Sequence, residues 1–222
     1  PFSLDGTGGN EPGFGSPVAA PSANWIDAVQ VVSLGSSAEY GEFTGARLNA
    51  ITRSGSNRYS GLIEYWTTKS NWTGNNRGSL APNLARQFKP LEVLEQWDTT
   101  NQLGGPVLRD RLWFFAGMEY FKYARRPSAF ATTPRTTDEP RMLTREPKLF
   151  LKFTTAPIRS SRVEGYFSAF NSKGTNLNAS PLVRPEALSS SDQPARMGNV
   201  SFTWPLGDRT LLETRYGDFA WD

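Results

Sequence analysis

The sequence predicts a mostly β fold in which antiparallel strands cross a layer. Three observations favour it. About seven stretches after Gly61 alternate apolar and polar residues, as half-buried strands do. The connections between these stretches are alternately long and short, as expected when strands run up and down through one layer. Finally, 13% of the residues are aromatic although the mean hydropathy is only −0.49, which suits a thin apolar band better than a conventional core.

The N-terminal part of the chain is less regular. Pro1–Ala23 is rich in Gly, Pro, Ser and Asn, and its composition leaves open a disordered arm or an ordered loop with a turn at Asp5–Gly6. Trp25–Leu34 combines a helical start with β-branched residues. A short helix-to-strand connection and a single strand both fit this second stretch.

A turn, a strand and a second turn are predicted before Gly61. Ser37–Gly45 is rich in glycine and small residues and predicts a turn region. Ala46–Thr52 alternates like a short strand. Arg53–Asn57 predicts a turn, because Gly and Asn tolerate positive φ and serine side chains bind the local backbone. Beyond Gly61 the chain becomes aromatic and strand-like.

The predicted strands have lengths near the ~9–11 residues of a tilted membrane strand. They are Gly61–Thr68, Trp97–Gly104, Arg111–Tyr123, Pro147–Thr155, Ser161–Asn171, Arg196–Trp204 and Thr210–Trp221. The long connections are Lys69–Gln96, Ala124–Glu146 and Ser172–Ala195, and the short ones are Gly105–Asp110, Ala156–Ser160 and Pro205–Arg209. This sorting predicts generous loops on one side of the layer and tight turns on the other.

Alternation within the strands separates two faces. In Pro147–Thr155, for example, one face carries Leu149, Leu151 and Phe153, and the other carries Lys148, Phe150 and Lys152. A membrane barrel and a water-soluble sandwich both give this alternation. Arg111–Tyr123 is apolar on both faces, so its inward face is expected to touch a dry partner.

Aromatic side chains recur near the predicted strand ends. They are Tyr65, Trp66, Trp97, Trp204 and Trp221. Such residues form belts at membrane interfaces, although Trp and Tyr also pack at strand ends in other β proteins.

The composition predicts no catalytic, metal or cofactor site. With 0 Cys and 0 His, thiol chemistry, disulfides, an imidazole base and Cys/His zinc sites are excluded within this sequence. The carboxylate pair Asp138–Glu139 lies in a Pro/Thr-rich loop, where a solvated role is expected. Net charge is +3 without a basic run, which argues against nucleic-acid binding. The chain is therefore predicted not to be an enzyme.

Three motifs in a fixed order carry a resemblance to a known family. They are FSLDG at Phe2–Gly6, SAEYGEFTGARLNAITRSGSNRYSG at Ser37–Gly61, and NQLGGPVLRDRLWFFAGMEYFKY at Asn101–Tyr123. Together they resemble TonB-dependent outer-membrane receptors of the Oar-like group, in which the second motif ends the plug domain and the first barrel strand follows. Its matching residues include Glu39, Tyr40, Gly41, Gly45, Asn49, Thr52, Ser54, Gly55 and Asn57.

The resemblance implies part of a large antiparallel transmembrane β-barrel with a plug domain in its lumen. Residues 1–60 would be the C-terminal part of the plug, and residues 61–222 roughly the first seven strands of a barrel in the 22-stranded class. The pattern is under way at both ends of the chain, so we expect a longer protein. A barrel segment with open edges is expected to be unstable alone.

The same resemblance implies TonB-dependent active import of a scarce, bulky ligand across the outer membrane. A siderophore, cobalamin, a glycan or a peptide would all fit. The implied partners are outer-membrane lipid, the transported ligand, and the TonB system, which is reached through a segment not present in these residues. Candidates for ligand binding lie in the predicted long loops: Trp72, Asn75, Arg77, Phe130 and Arg135. The alternative is an outer-membrane or secreted β-rich adhesin or glycan-binding protein without transport.

Overall fold

The described part of the chain is mostly β and forms two sheets and a short two-stranded pair. The computed structural model describes residues 2–10, 21–32, 46–74, 81–89, 91–127, 129–130, 140–158, 160–180 and 182–221. No helix within these ranges is long and apolar enough to cross a membrane.

The first sixty residues contribute a small sheet of four strands. These are β1 (Phe2–Leu4), β2 (Thr7–Gly8), β3 (Ile26–Val32) and β4 (Arg47–Thr52). Their order is β2-β1-β4-β3; β1 runs parallel to β4, and the other neighbours are antiparallel. A 3₁₀ turn at Ala23–Trp25 leads directly into β3, so the helical part ends at Trp25 and the described residues after it form a single strand.

The remaining strands build a large sheet and one short pair. They are β5 (Ser60–Lys69), β6 (Phe88–Lys89), β7 (Glu92–Leu108), β8 (Leu112–Arg126), β9 (Ala129–Phe130), β10 (Met142–Thr155), β11 (Arg162–Thr175), β12 (Ser191–Pro205) and β13 (Leu211–Trp221). Seven of them form the large sheet in the order β13-β12-β11-β10-β8-β7-β5, and all neighbours in it are antiparallel. β6 pairs only with β9.

All seven predicted strands are present in the large sheet, and most are longer than predicted. The second was expected at Trp97–Gly104 but β7 runs from Glu92 to Leu108, with register shifts between Val93 and Glu95 and between Pro106 and Leu108. The strands extend because their neighbours supply backbone partners beyond the alternating residues. The irregularity beside Pro106 accommodates a residue that lacks a backbone N–H.

The predicted alternation of long and short connections is confirmed. Tight turns at 109–111, 156–161 and 206–210 lie at one end of the large sheet, the short-turn end. Residues 70–91, 127–141 and 176–190 connect strands at the opposite end, the long-loop end. The first of these long connections includes a short helix, α1 (Pro82–Gln87). Pairing of Phe88 with Phe130 joins the first two long connections to each other.

The core lies between the two sheets, on what we call the inner face of the large sheet. Phe115, Phe150, Tyr166 and Met197 come from the large sheet, and Leu4, Trp25 and Ala50 from the small one. Phe150 is 0% exposed and stacks between Trp25 and Tyr166, with ring centroids 5.8 Å and 5.6 Å away. Phe115 belongs to the strand that is apolar on both faces, and it packs into this dry layer as expected.

The outer face of the large sheet points away from the small sheet and carries exposed apolar side chains. Strand period 2 sends alternate residues to this face. Its exposed members include Ile63, Leu103, Met118, Leu149, Phe153, Phe167, Val200 and Tyr216. The inner face of the large sheet is therefore buried against the small sheet, whereas the outer face exposes apolar side chains.

The aromatic residues near strand ends divide between these faces. The register places Tyr65, Trp97 and Trp204 on the outer face. Trp66 pairs with Asp98 and Trp221 with Ala195, so both project to the inner side. The expectation of a belt was therefore wrong for Trp66 and Trp221. The face of the sheet to which a side chain projects depends on its odd or even position along the strand, and nearness to the strand end does not determine it.

Candidate functional site between the two sheets

A buried lysine joins the large sheet to the small one. Lys152 lies on the inner face of β10 and is only 4% exposed. Its Nζ donates to Asp5 Oδ2 at 3.0 Å, to Thr52 Oγ1 at 3.0 Å and to the Thr52 carbonyl at 3.3 Å. An ammonium group has three donors, so each finds an acceptor. A charged group is stable at this depth only when it is paired and hydrogen-bonded.

Asp5 is held by the turn between β1 and β2. It adopts φ 45°, a left-handed conformation that Asp tolerates better than most residues, and Gly6 follows at φ 83°. Asp5 also accepts hydrogen bonds from the backbone N–H of Thr52, at 2.9 Å, and from the Thr52 hydroxyl. The carboxylate is thus fixed by β4 before it meets Lys152.

Asn49, which also belongs to β4, fixes the same turn. Its Oδ1 accepts hydrogen bonds from the Gly6 N–H at 2.9 Å and from the Ser3 hydroxyl at 3.0 Å. Two residues of the motif that ends near Gly61, Asn49 and Thr52, therefore bind the FSLDG turn. The contacts explain why the two motifs occur together.

Two more strands of the large sheet hold the small sheet. The Tyr166 hydroxyl of β11 donates to the Leu4 carbonyl at 3.0 Å, and Asn199 Nδ2 of β12 donates to Thr7 Oγ1 at 2.6 Å. The β1–β2 hairpin is therefore bound by three consecutive strands of the large sheet. These hydrogen bonds add to the apolar core between the sheets, in which Trp25 stacks on Phe150.

Glu164 completes a balanced set of charges beside the turn. Its Oε1 lies 3.8 Å from Lys152 Nζ and accepts a hydrogen bond from Arg162 Nη2 at 2.8 Å. Two cations, Lys152 and Arg162, thus face two carboxylates, Asp5 and Glu164. This balance lets the cluster remain charged at the sheet interface.

A polar cavity of about 930 Å³ opens next to this cluster. Both sheets line it, with Asp27 and Arg53 on one side and Arg162, Ser201 and Arg215 on the other. Its walls offer donors and acceptors for water or a polar solute. The described residues contain no group of three or more His, Cys, Asp or Glu side chains arranged to hold a metal ion.

The turn after β4 caps the hairpin formed by β7 and β8. Asn57 Oδ1 accepts from the Asp110 N–H at 2.9 Å and from Trp113 Nε1 at 2.7 Å, and Asn57 Nδ2 donates to Asp110 Oδ1. The Tyr59 hydroxyl donates to the Pro106 carbonyl at 3.0 Å. These bonds join the Ser37–Gly61 motif to the Asn101–Tyr123 motif.

The backbone at Gly55 packs directly against the backbone of the same hairpin. A Cβ at this position would lie 2.2 Å from the Phe114 carbonyl oxygen and 2.9 Å from that of Gly105, closer than real Cβ atoms approach. Glycine is therefore required because backbone meets backbone here. Ser54 lines the cavity described above.

The predicted ligand-binding residues are not brought together among the described residues. Trp72 is 61% exposed in a 3₁₀ turn at Ser70–Trp72, with Lys69 Nζ 5.7 Å from its ring centroid. Phe130 belongs to β9, whose backbone pairs with β6. Asn75, Arg77 and Arg135 lie outside the described residues, as do Glu39, Tyr40, Gly41 and Gly45 of the motif.

Sequence reasoning missed Lys152, Asp5, Tyr166 and Asn199 as the contacts between the sheets. One signal was available for Lys152. It shares a strand face with Phe150, and a lysine on a face that packs against protein requires a buried carboxylate partner. The partner lies 147 positions away, and nothing local in the sequence identifies it.

Comparison with known proteins yields one informative relative. The TonB-dependent transporter Oar of Myxococcus xanthus is 32% identical to this chain over 120 residues. The match covers 52% of this chain but 11% of that transporter, so the chain corresponds to a small part of its relative's length. The similarity supports a distant relationship to TonB-dependent receptors. No protein-family model and no solved structure matches the chain.

Proposed function

We propose that this chain is part of an outer-membrane, TonB-dependent importer of a scarce, bulky ligand. Residues 1–60 are the C-terminal part of its plug, and residues 61–222 provide roughly the first seven strands of its barrel. The observation that carries the proposal is the contrast between the faces of the large sheet. One face binds the small sheet through a buried apolar core and hydrogen bonds, and the other presents exposed apolar side chains.

The exposed outer face suits hydrocarbon better than water. Ile63 is 81% exposed there, and Met118, Phe153 and Val200 are each exposed by half or more. A water-soluble sandwich would cover such a face with a second layer. The strands contain 10 to 17 residues, enough for the roughly 9–11 that a tilted membrane strand needs.

The two edges of the large sheet support a larger assembly. β5 and β13 each have one neighbour within the large sheet, so half of their backbone groups find no strand partner there. Unpaired backbone groups in lipid cost several kcal/mol each, and closed barrels avoid this cost. Further strands of a longer protein would close the sheet, in keeping with the small share of the relative that this chain matches.

Hydrogen bonds on one hairpin supplement the apolar core that joins the small sheet to the large one. The contacts concentrate on one hairpin, where Asp5, Leu4 and Thr7 meet Lys152, Tyr166 and Asn199. The polar groups of this hairpin can be hydrated when they are released, whereas the apolar core around Phe150 opposes separation, so a plug held in this way moves only under an applied force. TonB would act through a segment outside this chain, and no covalent chemistry is involved. Siderophores, cobalamin, glycans and peptides all remain candidate ligands.

Heat-modifiable gel migration tests the membrane assignment. The full reading frame is expressed in a Gram-negative host, outer membranes are isolated, and samples are run in SDS with and without boiling. A closed membrane barrel stays folded in cold SDS and shifts on heating. Soluble recovery without a shift would reject the importer and favour the adhesin or glycan-binding alternative.

A further inference from the structure

The outer face changes character toward the long-loop end of the large sheet. The register aligns Trp97, Lys122, Arg145, Lys173 and Asp192 across five neighbouring strands, from β7 to β12. Residue parity places all of them on the same side as Phe153 and Phe167. We call Lys122, Arg145 and Lys173 the basic row.

Aromatic side chains mark a boundary that runs from the basic row itself, at Trp97, to the next outer-face row, at Tyr120. Trp97 and Tyr120 stack with ring centroids 5.0 Å apart, and Tyr65 lies at the same level as Tyr120 on the outer face. Amphipathic rings prefer the level at which hydrocarbon gives way to headgroups. The basic row therefore lies at headgroup level if the sheet spans a membrane.

An apolar groove begins just below this boundary. It has a volume of about 570 Å³ and is lined by Met118, Leu149, Phe167, Ala169 and Ala220, and by Arg196, which lies in the same register row as Leu149 and Ala169. The small side chains of Ala169 and Ala220 flank Arg196 in the strand register, between larger apolar neighbours, and this leaves the depression. A groove of this shape accommodates an extended acyl chain.

The charges around the groove favour an anion. Lys122 pairs with Glu95, and Lys173 pairs with Asp192 at 2.9 Å. Arg145 and Arg196 are exposed and form no ion pair within the described part of the chain. Asp218 faces the same side one register row nearer the short-turn end, opposite Gly198. The four cations Lys122, Arg145, Lys173 and Arg196 exceed the three carboxylates Glu95, Asp192 and Asp218 by one charge, and guanidinium groups bind phosphate in two-pronged fashion.

We propose that this surface binds one anionic, phosphate-bearing membrane lipid. Arg145 and Arg196 contact the phosphate, and the other two residues of the basic row add positive charge beside it. An acyl chain lies in the groove over Leu149 and Phe167. The inference rests on the proposed function, because it requires the outer face to be in a membrane. It goes further by assigning a lipid class and a position at the long-loop end.

Native mass spectrometry of the full-length protein, purified from outer membranes in detergent, tests this site. Phosphatidylglycerol is titrated against phosphatidylcholine, which has similar chains but a zwitterionic headgroup. The wild type should retain phosphatidylglycerol preferentially. Arg145→Gln with Arg196→Gln should weaken that binding about fivefold for each arginine. The matched control, Arg184→Gln with Arg209→Gln, removes the same charge from exposed positions outside the groove and should bind like wild type.

A second variant addresses the groove without altering charge. Ala169→Phe fills the depression and should weaken phosphatidylglycerol retention while the basic row stays intact. Equal retention of both lipids by the wild type, or equal loss in both arginine double variants, would overturn the site and indicate unspecific lipid. Heat-shifted migration is checked in parallel. A shift without lipid preference rejects this inference alone, and soluble protein without a shift rejects the proposed function.

Discussion

At the scale of single residues, Lys152 decides how the two sheets meet. Its ammonium group is buried, and its three hydrogen bonds end on Asp5 and Thr52. Such a pair adds modest stability relative to a well-packed apolar pair, yet removing one partner leaves the other charge buried and uncompensated. The network therefore favours one docking position of the small sheet over others.

Replacing Lys152 alone should loosen the small sheet. We expect Lys152→Met to destabilise its docking by about 3–5 kcal/mol, because the Asp5 carboxylate loses its cation. Hydrogen exchange of residues 2–10 and 46–52 in the full-length protein measures the effect. Adding Asp5→Asn should recover part of the protection, since a neutral amide still bonds to Thr52.

Lys173→Met is the matched control. Lys173 also pairs with a carboxylate, Asp192, but both side chains are more than half exposed. Exchange in the small sheet should match wild type in this variant. Equal loss of protection in Lys152→Met and Lys173→Met would mean that the buried network does not hold the small sheet.

At the scale of elements, the turn after β4 is fitted to the β7–β8 hairpin. Gly55 allows the backbones to touch, and Asn57 bonds to Asp110 and Trp113. Local propensity explains the glycine and asparagine as turn residues. The structure shows that close packing against the β7–β8 hairpin also requires this glycine and this asparagine.

Gly55→Ala should release this turn. The added Cβ meets backbone atoms of Phe114 and Gly105, which cannot rotate away. We expect a cost of about 1–3 kcal/mol, typical of overpacking. Faster trypsin cleavage after Arg53 or Arg58 in the purified full-length protein reports it. Gly74→Ala, where a Cβ meets nothing within 4 Å, should be cleaved at the wild-type rate.

Sequence patterns predicted the large sheet well and the contacts between sheets poorly. Period-2 alternation and loop length are local, so β5, β7, β8 and β10–β13 could be placed and the faces of β10–β12 assigned. The partners of Lys152 and Tyr166 are separated from them by 147 and 162 residues and follow only from the tertiary fold. The two-stranded pair β6–β9 was missed because two residues carry no periodic signal.

The outer face gives a prediction about membrane assembly. Phe167→Arg places a charge in the middle of this face and should cost about 2–4 kcal/mol if the face meets the bilayer core. The intensity of the heat-shifted band from outer membranes should therefore decrease. Leu182→Arg, at an 82% exposed position in a long connection, should leave the band unchanged. Similar bands for both variants would contradict a lipid-facing assignment.

At the scale of the whole molecule, the open edges govern stability. The 222-residue chain ends its large sheet at β5 and β13, each with one neighbour in that sheet. We expect this chain, expressed alone, to aggregate without detergent and to show no heat-shifted form. A soluble monomer that unfolds cooperatively in urea would contradict this, whereas the full reading frame should give the folded form.

The contact between Asp5 and Lys152 also sets an order of events during folding. The two residues are 147 positions apart, so the carboxylate is made long before its cation. Contacts of such sequence separation form slowly, because a long loop must close first. The small sheet therefore docks late, after β10, β11 and β12 have formed the surface that receives it.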